Sequence, residues 1–297
     1  MTSIVPVDRL LRGIAGGDIS FDTVPAEPAV IADPQDIPAA AAAEIARRYR
    51  ANGFAVARFA AGPWTEDTVR RLAQALGLGE PFVPPLYTMG AYVTTGISRI
   101  AAPTVPEATV HAGFETTDGQ DLHCDGTLQD IGVVRSAILL CESQGESGGE
   151  TTVFNAHGAF AELAATDPSA AQALTAPGLL VRRATMNGSN EENAGPVFTV
   201  DDEQLLCRYC VDKTDSWMIP DGELGESVRR GLSFLDNARQ DGSRHVLRFT
   251  LAAGEAIIMD NTRISHGRAA YQDRAGSRRC LYRSLHLRHP AEVAVSA

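Results

Sequence analysis

Gln120-Asp121-Leu122-His123-Cys124-Asp125-Gly126-Thr127 decides how this chain is read, because it sets an imidazole and a carboxylate, both metal-ligating groups, one residue apart. In a strand, residues i and i+2 leave on the same face, so His123 and Asp125 can converge on one ion. Two groups fill only two coordination positions. A facial site of two histidines and one carboxylate, the kind that holds Fe(II), needs a third ligand from elsewhere and leaves positions open for substrates. His-X-Asp alone is common, and either residue is equally a hydrogen-bonded core group. The weight rests on whether the rest of the chain supplies the third ligand.

The whole chain narrows the classes of protein to consider. Its 297 residues, 44% hydrophobic and 21% charged, are ample for a buried core without disulfides. A formal net charge of −11 argues against nucleic-acid polymers and anionic membranes as partners, since both are held by basic surfaces. No apolar run approaches the roughly 20 residues needed to cross a bilayer, and the N-terminus lacks a basic segment followed by an apolar one. The five cysteines, 124, 141, 207, 210 and 280, are odd in number and scattered. These features predict reduced thiols and a cytoplasmic location. Lys213 is the only lysine, so cationic recognition falls to arginine, whose planar head suits carboxylates.

Taken in order, residues 1–37 show no clear period and read as an irregular arm. Ala39–Asn52 reads as a helix stopped by Gly53, and Phe54–Phe59 as a strand. Thr65 caps a helix with an apolar stripe of Val69, Leu72, Ala73 and Leu76. From residue 81 to 118, prolines and glycines interrupt every apolar piece, which predicts loops of the kind that form active-site lids. Strand-like segments follow at 133–140, 151–154, 179–184, 197–200, 204–211, 245–251, 255–259 and 279–288. Helices are expected at 156–165, after the Asp167-Pro168 cap, and around Leu224, Val228, Leu232 and Leu235. There is no internal repeat and no composition break, so residues 1–297 form one domain. Many short strands with a minority of helices point to a β-sandwich or jelly roll.

Among the remaining histidines, His266 stands out within Asp260-Asn261-Thr262-Arg263-Ile264-Ser265-His266-Gly267-Arg268, just after the strand-like Ala256 to Met259. Beyond it, Arg279 and Arg283 are four apart and so share one strand face. Two cations on one face ask for an anionic partner.

These residues resemble the Fe(II)/2-oxoglutarate-dependent oxygenases of the taurine dioxygenase superfamily, with an ending similar to its clavaminate synthase-like members. The resemblance runs through His123-Cys124-Asp125, Gly148-Gly149-Glu150-Thr151, Asp260-Asn261 with His266-Gly267-Arg268, and Arg279 to Arg283, in order over about 160 residues. It implies a double-stranded β-helix, with His123, Asp125 and His266 holding Fe(II), and 2-oxoglutarate and O2 as co-substrates. It assigns Arg279 and Thr151 to the distal carboxylate of 2-oxoglutarate. It places Arg283 where relatives meet either the co-substrate or an anionic group of the substrate, and Arg208 and Asp212 near a substrate-contacting position. Asp260, Asn261 and Arg268 read as structural, tying the turn before the distal ligand. A carboxylate at 125 favours hydroxylation over halogenation, because halogenating relatives carry a small residue there.

The expected activity is hydroxylation of an aliphatic carbon in a small polar amino acid or an amino-acid-derived natural-product precursor. A sulfonate or nucleotide is the alternative substrate, and desaturation or cyclisation the alternative outcome. From another class, the same residues suit a metal-binding jelly-roll protein that is not an oxygenase, which would have no need of the Arg279 and Thr151 pair. Cys207 and Cys210 have the spacing of half a zinc site, but no second Cys-X-X-Cys exists, and they read as packed thiols. Cys124 points away from the metal by alternation. A homodimer is the expected assembly only on the general frequency of dimers.

Overall fold

The computed structural model describes residues 4–16, 19–88, 95–102, 115–184, 189–276 and 278–291. Two sheets face each other. The larger has six strands in the order Ala29–Ile31, Phe54–Phe59, Glu255–Asp260, Ser136–Ser143, Cys280–His286 and Ile97–Ile100. The smaller runs Val246–Phe249, Thr151–Phe154, Ser265–Arg268 and Gln120–His123. Strands distant in sequence lie side by side in both, the jelly-roll arrangement expected from the pattern of short strands.

Period-two alternation explains how one apolar run serves two cores. In Glu255–Asp260, Ala256 and Ile258 pack outward with Ile138, Leu140, Ile45 and Leu72, beneath helices Ala39–Asn52 and Glu66–Ala75. Ile257 and Met259 point the other way, into the layer between the sheets with Ala137, Val153, Leu281 and Leu285. The small sheet has its own outer cover. There Leu122 and Phe154 pack with Phe160, Leu163, Val228 and Leu235 of helices Ala156–Thr166 and Gly222–Ala238.

Local signals behave as their chemistry requires. Gly53 ends the first long helix with φ +74°, and a Cβ there would lie 2.7 Å from Ile19. Thr65 forms a capping box with Thr68, and Asp167 accepts the Ala170 N–H at 3.0 Å to start Pro168–Ala173.

The arm at 1–37 departs from its irregular reading. It carries helix Val7–Ala15, which buries Leu10 and Gly13, and strand Ala29–Ile31, which pairs in parallel with Phe54–Phe59. Val7, Leu10 and Ile14 do carry a helical spacing within the arm, whereas the three-residue strand is too short to show a period; packing against the finished domain makes both regular. Of the segment 81–118, residues 89–94 and 103–114 lie outside the described residues. Its described part includes the edge strand Ile97–Ile100, paired with Cys280–His286. No helix among the described residues is long and apolar enough to cross a membrane.

Two histidines are buried in this framework away from the metal ligands. His157 has no hydrogen-bond partner for either ring nitrogen among the described residues, and burial pulls it to about 4. Burial likewise lowers His286 to about 4. Both therefore stay neutral in the folded protein where the unfolded chain would already be protonated. Their contribution is fully present above the unfolded value of 6.5 and is lost as pH falls from there towards 4. The urea midpoint should drop across that window, and His157→Leu should flatten the slope by about one proton's worth.

Candidate metal centre and co-substrate pocket

The small sheet positions two of the three metal-ligand candidates by register. His266 pairs with His123 on one side and Val153 on the other, so all three side chains share the face turned to the large sheet. The two imidazole centroids are 4.3 Å apart. Asp125 arrives differently from the strand reading. The strand ends at His123, and Asp125 sits in the following turn, which Gly126 closes with φ +70°. Its backbone is clamped by Asn261, whose Oδ1 accepts the Asp125 N–H at 2.7 Å and whose Nδ2 donates to the Asp125 carbonyl at 3.0 Å. The result is a buried group in which the ligand atoms of His123, Asp125 and His266 lie within 4.8 Å of one another.

Hydrogen bonds select the atom each side chain presents. His123 Nδ1 lies 2.8 Å from the Asp121 carbonyl, which can only accept. Nδ1 therefore carries the proton and Nε2 keeps its lone pair for a metal. Asp125 Oδ1 accepts from Arg283 Nη1 at 2.5 Å. Its Oδ2 is buried with no hydrogen-bond partner among the described residues, and it lies 3.6 Å from His266 Nε2. An orphaned carboxylate oxygen facing two imidazoles fits a divalent ion.

The electrostatics agree. Burial opposes ionisation of Asp125, but Arg283 and the two histidines outweigh it and hold the carboxyl below its ordinary range. Burial, then the neighbouring His123, pull His266 down to about 3, leaving it neutral, as a ligand must be.

The remaining candidates separate into groups. Thr151 shares the inner face of its strand with Val153, and Arg279 and Arg283 both lie on the large-sheet strand region facing it. Arg279 is 7% exposed, yet its Nη1 has no hydrogen-bond partner among the described residues. Gly149 leaves room for it: a Cβ there would come within 3.0 Å of Arg279 Nε. Arg283 borders a small cavity lined by Phe82, Pro84, Gly96, Ser98 and Leu285.

Arg208 donates to the carbonyls of Thr127 at 3.3 Å and Leu180 at 3.2 Å. It braces the turn that carries Asp125. Asp212 accepts from the Thr214 N–H and hydroxyl and lies 3.6 Å from Arg182, which also meets Asp215 at 3.1 Å. This cluster stands beside His123, since the Val211 N–H donates to the Leu122 carbonyl. Arg182 went unnoticed in sequence because the pairing of strands Leu180–Arg183 and Asp215–Trp217, not any spacing, brings it to Asp215.

The strand expected over 204–211 stops at Cys207, so Cys210 lies beyond it. Cys210 Sγ accepts the Cys124 N–H at 3.2 Å, and all three thiols are buried.

A buried His-X-Asp and distal His between two facing sheets fit a non-haem iron site, and the chain's family and relatives make it an Fe(II)/2-oxoglutarate-dependent dioxygenase, which takes O2 and 2-oxoglutarate as co-substrates. The chain belongs to the taurine catabolism dioxygenase TauD, TfdA family, whose profile matches residues 18–285. It is 41% identical over 253 residues to a uridine-5'-phosphate dioxygenase of Amycolatopsis sp, covering 84% of this chain and 90% of that one. A uridine-5'-phosphate dioxygenase of Streptomyces sp is 34% identical over 223 residues, 75% of this chain and 79% of the relative. Among solved structures, the iron oxygenase OrfP in complex with Fe and alpha-ketoglutaric acid superposes with a TM-score of 0.60 at 17% identity, covering 85% of this chain and 81% of that one. The resemblance drawn from the motifs holds, and the activity is an oxygenase's acting on a small molecule.

Asn261→Ala would release the turn that aims Asp125. Fe(II) affinity, measured by anaerobic titration, should fall roughly 10- to 100-fold, while the circular dichroism spectrum keeps its native form.

Proposed function

We propose that this dioxygenase acts on a pyrimidine nucleoside monophosphate, with uridine 5'-phosphate as the first candidate. The observation that carries the reading is the identity of 41% across nine-tenths of a relative named for that substrate, supported by the second relative of the same name. It moves the nucleotide ahead of the amino acid as the expected substrate. Every saturated carbon of uridine 5'-phosphate is in the ribose, so oxidation of an aliphatic C–H falls on the sugar.

On this reading His123 Nε2, Asp125 Oδ2 and His266 Nε2 hold the iron. Arg279 and Thr151 receive the distal carboxylate of 2-oxoglutarate, for which a guanidinium offers paired hydrogen bonds. When bound, iron with 2-oxoglutarate and O2 supplies the oxidant for the C–H bond and leaves succinate and CO2. The protein's residues do the positioning. Arg283 occupies Asp125 Oδ1 and so commits Oδ2 to the metal. Burial between the sheets excludes water from the triad. Asp212, with Arg182 and Asp215, supplies a polar wall beside His123 for donors on the nucleoside, and Arg208 shapes that wall from behind.

The test is succinate formation by the anaerobically Fe(II)-loaded protein on admission of air with 2-oxoglutarate and a panel of substrates. Uridine 5'-phosphate should be consumed in step with succinate, at least tenfold faster than amino acids or sulfonates, and His266→Ala should abolish both. Coupled turnover with an amino acid and none with any nucleotide would overturn the substrate assignment while leaving the oxygenase intact.

A further inference from the structure

Buried Tyr271 and Arg279 form a cluster with the half-buried Arg268 beside Thr151. Arg268 is two residues beyond His266 and pairs with Thr151 in register. Its guanidinium carbon lies 5.2 Å from the centroid of the Tyr271 ring, and that of Arg279 lies 5.0 Å from the same centroid. Tyr271 is 4% exposed. Its hydroxyl, Arg279 Nη1 and Arg268 Nε are all buried without hydrogen-bond partners among the described residues.

Three buried polar atoms left unspent beside the buried cation of Arg279 are unfavourable unless an anion meets them. No described carboxylate does so. Asp273 accepts the Arg279 backbone N–H rather than a guanidinium hydrogen. Burial, then the neighbouring Arg268, pull Arg279 down to about 10, the direction expected of a cation lacking its counter-ion.

We propose that Tyr271 is a positioning residue for the co-substrate: its hydroxyl donates to the distal carboxylate of 2-oxoglutarate alongside Arg279, and Arg268 holds the tyrosine ring in place as a second cation. This rests on the assignment of Arg279 to that carboxylate. A carboxylate has two oxygens that accept, and Tyr271 Oη and Arg279 Nη1 are two buried donors without partners among the described residues. The cluster also fastens the approach to the metal: Arg268 Nη2 donates to the Asp118 carbonyl at 2.6 Å, and the Tyr271 N–H donates to the Thr117 carbonyl at 3.0 Å. The far end of 2-oxoglutarate and the entry to the His123 strand thus share their fasteners.

The experiment compares two ligands on wild type and Tyr271→Phe, which removes one oxygen and keeps the ring. Under anaerobic conditions with Fe(II), 2-oxoglutarate and 2-oxopentanoate both chelate through the 2-oxo acid end, but only the first has a distal carboxylate. Binding is read from the visible charge-transfer band, and folding from the thermal midpoint. The substitution should raise the 2-oxoglutarate midpoint roughly tenfold or more, as loss of a hydrogen bond to a charged group does. The midpoint for 2-oxopentanoate and the KM for the nucleotide should stay unchanged. Equal weakening of both ligands, no weakening of either, or a shift in the nucleotide KM alone would overturn the proposal. A wild-type protein with bound Fe(II) and no band would instead overturn the reading of the site on which it rests.

Discussion

The buried pair of Asp125 and Arg283 is the interaction on which the rest of the structure depends. Asp125 comes from the turn after the small sheet's edge strand, and Arg283 from a strand inside the large sheet. Their 2.5 Å contact pins the two layers together at the metal end of the sandwich. Removing one partner from such a pair leaves an uncompensated charge and costs about 3–5 kcal/mol. The same contact has a chemical consequence. Because Oδ1 is taken, the carboxylate offers a single oxygen to an ion, which preserves the open coordination that oxygen chemistry needs.

Much of this was legible in the residues. The inward face of each inner strand follows from alternation, which put His123 inside, Cys124 outside, and Arg279 with Arg283 on one face. The helix at 39–52 was bounded by its own glycine stop. What escaped were features that only tertiary packing creates. Asp125 is aimed by Asn261 from 136 residues away, not by a continuing strand. Helix Val7–Ala15 buries Leu10 against the core beside helix Ala156–Thr166; Val7, Leu10 and Ile14 carry its helical spacing, but a segment of nine residues has too little of its own stability to hold a helix without that packing. Arg208, placed near substrate by resemblance, spends its guanidinium on two backbone carbonyls, a use that no spacing rule reveals.

The proposed site has one half built on the two main sheets and one half built outside them. His123, His266 and Thr151 lie on paired strands, where register leaves little freedom, Asp125 is held in a turn by Asn261, and Arg279 leads into the strand Cys280–His286. The proposed substrate wall of Arg182, Asp212 and Asp215 belongs to a small separate sheet and its adjoining loop, outside the two main layers. A rigid sandwich can thus keep one reaction while peripheral elements adapt to the substrate. The relatives named for uridine-5'-phosphate match over three-quarters or more of this chain, so their similarity reaches well beyond the triad.

Arg283, by holding one oxygen of Asp125, leaves the other for the metal. A crystal structure of the anaerobic Fe(II) and 2-oxoglutarate complex, with the iron located by anomalous diffraction, tests it most directly. One iron bound by His123 Nε2, a single oxygen of Asp125 and His266 Nε2, with Arg283 still on the other carboxylate oxygen, is the predicted result. Iron chelated by both oxygens of Asp125 with Arg283 displaced, or iron bound away from these three residues, would contradict it.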